Sequence, residues 1–414
     1  MQLYGVPLDF VLIGLVLYTV LGGADFGAGL WQLLEGRGPT AHRAREHAHH
    51  AIAPVWEANH VWLIFVLTVT WTAYPVAFGS IASTLSVPLF IAGMGIVLRG
   101  ASYAMQAGVS APHEARLVES IFALSSILTP FTLGAAVGGI ASSRVPVGNA
   151  AGSLWSSWLN PTSIMVGVLA VAISAFLAAV YLSADAVRLD EPDLERWFRR
   201  RALVSGVVTG ALAIAGLGVL RADVPALGDR LITGPGLPAL VVSAVAGLAT
   251  LLLIWRRRYG PARVSAALAV AAIVVGWALA QRPNILPGLT VQQAAAPTDT
   301  LIAIIVAVLA GAVILFPSLA LLFSLVLGGR FDPGRDTTTE VPVSRHRRLY
   351  RKHKLAGRVA AALAIAGIGL LTAADAGWAH ALGVACFAGF VVAGFHAVAP
   401  AELADADTDG PSAR

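Results

Sequence analysis

Ionisable side chains are scarce inside the apolar runs of this chain, so the few that occur there are the first candidates for chemistry. Asp25 sits in GGADFGAG. Glu57, Asn59 and His60 sit in HHAIAPVWEANHVWLIF, between Trp56 and Trp62. On a helix Glu57 and His60 are i and i+3 and share a face, with His50 one heptad before Glu57 if the helix extends past Pro54. A carboxylate and an imidazole so placed can pass protons, and a charge at membrane depth is costly unless it is paired or wetted. Asp25 and Glu57 are therefore candidate proton-relay acids. The plainer reading is packing: Asp25 bonding a neighbouring backbone or hydroxyl, and a Glu57–His60 pair that only fixes helix contacts. Gly22, Gly23, Gly27 and Gly29 would let another helix approach Asp25 closely.

Other polar residues point less sharply. Arg99, in VLRGASYAM, is expected to snorkel to the inner surface as a positive anchor, with binding of an anionic lipid or quinone head group as its alternative role. His42, His47, His49 and His50 lie beside Arg43 and Arg45 with no cysteine or paired carboxylates to complete a metal site, and are expected to be solvated. The single cysteine, Cys386, excludes an intramolecular disulfide, a thiolate zinc site and an iron–sulfur cluster. His60, Met94, Met105, Met165, His380 and His396 are scattered, so nothing requires a haem bound by this chain alone.

The elements that must position these residues follow from composition. The 414 residues are 57% hydrophobic and 12% charged, against roughly a quarter charged in an average soluble domain. Mean hydropathy is +0.76, which is more apolar side chain than one soluble core can hide, so lipid must cover the rest. Apolar stretches predict eleven spans: 8–34, 53–77, 80–106, 118–141, 160–184, 202–221, 236–255, 263–281, 298–328, 355–373 and 377–399. With the N-terminus outside, 24 of the 28 basic residues fall on inner loops and the tail, and Arg144, Arg221, Arg230 and Arg282 remain outside. The positive-inside rule then puts the C-terminus in the cytoplasm, and the first span reads as an uncleaved anchor. The basic run Arg345 to Lys354 abuts a span, so it is topogenic or lipid-contacting and no nucleic acid is expected. Segment 282–299 mixes Pro and Gly with apolar residues, as an interfacial loop lying on the bundle would. Residues 331–354 read as a basic cytoplasmic loop, 355–400 as a transmembrane hairpin and 401–414 as an acidic cytoplasmic tail.

GGADFGAG, APVWEANHVWLI, the LRG ending of the third span, NPTSIMVGVLAVAISAFLAAVYL and NILPGLTVQQAAAPT occur in the order seen in subunit II of cytochrome bd quinol oxidase. Residues 1–330 resemble that family, with WEANHVW the most specific segment. The resemblance implies nine helices, as two four-helix bundles plus one, paired with a haem-bearing subunit I that carries haem b, haem d and the quinol site. It implies no haem ligated by this chain, a bound quinone as an option, and a small accessory subunit as a further partner. Residue by residue, it matches Glu57 to the acid of the proton path, Asp25 to the second acid of the first-span motif, and Trp56, Asn59 and Trp62 to the supporting motif. Gly22 stands where the family usually has a further acid, and His60 where it more often has Gln or Glu. The two spans after residue 330 have no counterpart in the nine-helix pattern.

The expectation is an all-α polytopic subunit II of a bd-type quinol:oxygen oxidoreductase in aerobic respiration, in a bacterial plasma membrane and not catalytic alone. Glu57, Asp25 and His60 would conduct cytoplasmic protons. The competing readings are a proton-coupled secondary transporter and a scaffold for a quinol-linked haem protein that is not an oxidase.

Overall fold

Lipid offers no hydrogen bonds to the backbone, so an apolar run that enters it must satisfy its own N–H and C=O groups as a helix. That rule accounts for nearly all of the structure. The computed structural model of the chain describes residues 3–34, 43–48, 56–106, 112–327, 358–360, 362–363, 365–367 and 377–398. Among these, eight helices are long and apolar enough to cross a membrane, and Asn59–Ala73 is a shorter apolar helix. The chain is an all-α polytopic membrane protein.

The first span runs Leu3–Leu34 and contains α1 (Val6–Leu17), a π-helical turn (Tyr18–Gly22) and α2 (Gly23–Leu34). Then come α3 (Trp56–Ala73), α4 (Pro75–Thr84), α5 (Ser86–Gln106), α6 (Pro112–Ala141), α7 (Pro161–Arg188) and α8 (Pro192–Asp223). After a short α9 (Pro225–Ile232) follow α10 (Leu237–Trp255), α11 (Tyr259–Gln281), α12 (Val291–Ala294) and α13 (Thr298–Leu327). The chain divides into two compact units, Met1–Val326 and Leu327–Arg414. The second contains α14 (Gly377–Val398), where Leu363 lies against Gly389.

Within the first unit α1 packs on α3, while α2 lies against α6 and α7. The largest buried cluster joins α2, residues 43–48, α7, α8 and α11, including Trp31, Phe176, Leu177, Val180, Phe198 and Tyr259. Close approach depends on the absence of a side chain at Gly27. A Cβ built there would stand 1.8 Å from the Ser174 carbonyl oxygen and 2.8 Å from the Ala178 methyl.

The expected span 53–77 stops at Ala73. Pro75 drives Tyr74 out of the helical region, to φ −137° and ψ 61°, and opens α4 at its own first turn. The freed Ala73 carbonyl accepts from the Ala296 N–H at 2.8 Å, and the Tyr74 hydroxyl donates to the Tyr4 carbonyl at 2.6 Å. The first of these bonds ties the 282–299 segment to the bundle, and the second ties the break to the start of the chain. That segment forms a small antiparallel hairpin, β1 (Asn284–Leu286) with β2 (Leu289–Thr290), and then α12 under a Thr290–Gln293 capping box. Leu286 is fully buried there.

The four arginines placed outside by the positive-inside count are all engaged. Arg144 grips both oxygens of Asp223 at 2.7 Å, with the Thr162 hydroxyl on the same carboxylate at 2.6 Å. That hydrogen bond holds the Arg144 guanidinium above its ordinary pKa. Arg282 pairs with Asp9 at 2.6 Å and Arg221 with Asp229 at 3.2 Å, while Arg230 donates to the carbonyls of Ala280 and Arg282. Each is paired with a carboxylate or donates to backbone carbonyls.

Gly27→Ala is expected to destabilise the detergent-purified protein by at least the ~1–3 kcal/mol typical of overpacking, because its methyl meets backbone and not a flexible side-chain tip. Gly93→Ala, with nothing within 4 Å of the added carbon, should be neutral or stabilise by about 0.5–1 kcal/mol. Thermal unfolding of the two variants side by side checks the contrast.

Candidate functional site: a buried charge cluster beside the first span

The π turn over Tyr18–Gly22 inserts one extra residue per turn and widens the first span just before Asp25. Asn59, from the WEANHVW segment on α3, donates to the Leu21 carbonyl at 3.4 Å. The turn is thereby tied to the motif helix.

Asp25 lies in the first turn of α2 and is 4% exposed. Arg99 reaches it from α5. Its Nη2 donates to Asp25 Oδ1 at 2.7 Å and to the Asp25 carbonyl at 2.9 Å, and its Nη1 donates to the Ser126 hydroxyl on α6. The Phe122 and Phe26 rings stand 4.4 and 5.0 Å from the guanidinium carbon, within cation–π reach. Gly29 makes the space, since a Cβ there would fall 2.2 Å from the Ser126 hydroxyl and 2.9 Å from Arg99 Nη1.

Arg99 was expected at the inner surface. It is 1% exposed, because its helix continues about two turns further to Gln106 and a counter-ion is available at arm's length. It turns into the bundle and does not extend to solvent. The pair buries two charges whose desolvation is repaid only by good geometry and further hydrogen bonds; Arg99 has both, while Asp25 Oδ2 has no hydrogen-bond partner.

His60 stands in the same cluster, its ring 6.0 Å from those of both Tyr18 and Phe26. Trp62 is buried and meets Phe65 edge-on at 6.4 Å. Trp56 and Glu57 belong to the first turn of α3; their side chains lie outside the described residues, as does His50. The structure thus unites Asp25, His60, Asn59 and Arg99 around the first span.

His47 departs from its expected solvated state. It is buried, with Nε2 at 3.2 Å from the Leu182 carbonyl and 3.9 Å from Asp185, and its ring lies 5.7 Å from Phe198. Residues 43–48 pack onto α7 and α8, which brings it under cover. His42, His49 and His50 lie outside the described residues. Among the described residues no group of three or more His, Cys, Asp or Glu side chains could hold a metal ion.

Tyr18, Ser126 and Phe122 escaped the sequence reading. Tyr18 had a signal, standing seven residues before Asp25 and so near its face; Ser126 and Phe122 belong to an ordinary apolar run and carried none.

The profile of the family described as cytochrome bd terminal oxidase subunit II matches residues 8–326. The chain belongs to that family. Its match ends where the first compact unit ends. The cytochrome bd-I ubiquinol oxidase subunit 2 of Escherichia coli K12 is 24% identical over 225 residues, covering 51% of this chain and 56% of that protein. A putative cytochrome bd menaquinol oxidase subunit II of Bacillus subtilis is 20% identical over 209 residues, covering 50% and 59%. The chain thus matches little more than half the length of these relatives. Among solved structures, a chain of the bd oxidase from Geobacillus thermodenitrificans superposes with a TM-score of 0.63 at 26% identity, covering 79% of this chain and 99% of that one.

Asp25→Asn leaves the Arg99 cation buried without its counter-charge and should destabilise the protein by ~3–5 kcal/mol. The double variant Asp25→Asn/Arg99→Leu should recover most of that loss. A double-mutant cycle on thermal unfolding in detergent measures the coupling, and additive losses would mean that the pair does not act as a unit.

Proposed function

We propose that the chain is subunit II of a bd-type quinol:oxygen oxidoreductase, embedded in a bacterial plasma membrane with its N-terminus outside and its C-terminus in the cytoplasm. The match of the family profile over residues 8–326 carries this reading. The partner is a haem-bearing subunit I, and the fold would be two four-helix bundles and a ninth helix facing it, with the segment after residue 330 as an addition. Haem b and haem d, held by that partner, supply the electron transfer from quinol and the oxygen chemistry.

This chain's own part is support and proton supply. Reducing oxygen to water consumes protons, and a carboxylate and an imidazole on one face of α3 can hand them inward. Glu57 takes the proton from the cytoplasmic side, His60 carries it into the bundle, and Asp25 receives it on the oxygen that Arg99 does not hold. Arg99 keeps the Asp25 side chain in one position. Trp56, Asn59 and Trp62 fix α3 against the first span, a role supported by the Asn59 bond to the Leu21 carbonyl and the burial of Trp62. A scaffold role draws support at Asp25 alone, since an acid locked to an arginine is also a packing device.

The test is to purify the tagged chain with whatever accompanies it, and to record a reduced-minus-oxidised spectrum and quinol-driven oxygen uptake on the same preparation. Co-purified b- and d-type haem with oxygen uptake is the expected result; haem without uptake would favour the scaffold, and no haem the transporter. In the active complex Glu57→Ala should lower turnover by about tenfold or more, as loss of an acid–base group does, with subunit I still bound. Unchanged turnover in that variant removes the proton role from Glu57.

A further inference from the structure

We infer that the Tyr18 hydroxyl is a further relay group on this proton path, standing between His60 and Asp25. The inference rests on the oxidase reading above. Tyr18 is 6% exposed, and its hydroxyl is buried without a hydrogen-bond partner. A phenylalanine would fill the same space without burying an unmatched polar group, so the hydroxyl is a cost to the fold that packing does not explain.

Its surroundings supply a use. The ring lies 6.0 Å from that of His60 and edge-on to Phe26 at 6.5 Å. On its other side it rests on Gly22, where a Cβ would come within 3.1 Å of the ring. Asp25 Oδ2 is also buried without a hydrogen bond, while Oδ1 is held by Arg99. One cluster thus contains an uncommitted donor, the phenol, and an uncommitted acceptor, the second carboxylate oxygen. The charges of Asp25 and Arg99 both act on Tyr18, and that of Arg99 acts on His60 as well. Tyr18 and Gly22 themselves lie on the π turn, a distortion frequent at functional sites in helical proteins.

The transfer balances simply. The phenol oxygen takes a proton from the His60 side as its own proton leaves toward Asp25 Oδ2, directly or over one water. An N–H bond breaks at protonated His60 as an O–H forms on the phenol, the phenol's own O–H breaks as one forms at Asp25 Oδ2, and no electrons change hands.

The experiment compares Tyr18→Phe with the wild-type complex. Its readouts are quinol-driven oxygen uptake in light and heavy water, the reduced-minus-oxidised spectrum and the thermal stability. Turnover lowered about tenfold, a larger solvent isotope effect, an unaltered spectrum and unaltered or higher stability would bear the proposal out. Wild-type turnover and isotope effect in Tyr18→Phe would overturn it while leaving the oxidase reading standing. Failure of the variant to assemble would also overturn it, because the hydroxyl would then serve the fold. A wild-type complex that takes up no oxygen sinks the oxidase reading and the relay with it.

Discussion

The Arg99–Asp25 ion pair is the constraint around which the first half of this molecule is arranged. A guanidinium cannot lose its charge inside a bilayer, so it must be surrounded on every side by groups that answer it. Those groups come from three helices: Asp25 and Phe26 from α2, Ser126 and Phe122 from α6, with Arg99 itself on α5. They can converge only if the helices are near, and nearness depends on Gly27 against α7 and Gly29 against Ser126. The glycines in GGADFGAG are therefore less a generic packing stripe than the clearance required by one buried cation and one tight helix contact.

A second arrangement governs the opposite end of the first span. Pro75 breaks the run of α3 and leaves a carbonyl that the Ala296 N–H satisfies, while Tyr74 caps Tyr4. The hairpin and α12 are folded onto this defect, with Leu286, Leu289 and Val291 filling the space beside Tyr74. The arginines nearby are all matched to carboxylates or carbonyls, as Arg282 is to Asp9 across 273 residues of sequence. In lipid-facing architecture a helix break persists where a neighbour re-satisfies the backbone, and here that neighbour is Ala296, far away in sequence.

Most of the spans and the place of Asp25 inside one were legible from residues alone, because a run of apolar side chains and an isolated Asp within it are local facts. Segment 282–299 was legible as an interfacial loop for the same reason, though not its hairpin. Arg99 was misplaced because hydropathy locates a span's end only to within a turn or two, and that margin decides between a snorkelling arginine and a buried one. His47 was misplaced because its cover comes from α7 and α8, far away in sequence. The π turn has no composition signature at all: YTVLG reads like any other apolar stretch, and a tyrosine in a span reads like a member of an aromatic belt.

The two partners of this ion pair are unequally satisfied. Arg99 is answered on several sides, but the Asp25 carboxylate offers it only one of its two oxygens, and the other carries no hydrogen bond. On the relay proposed above, a proton landing on that oxygen would weaken the answer to the buried Arg99 cation and so favour its onward transfer. A fully satisfied carboxylate in the same place would stabilise the bundle better and conduct nothing. Natural structures give up satisfaction at functional positions and recover it elsewhere; in this chain the surrounding carbonyl, hydroxyl and aromatic contacts of Arg99 are where it is recovered.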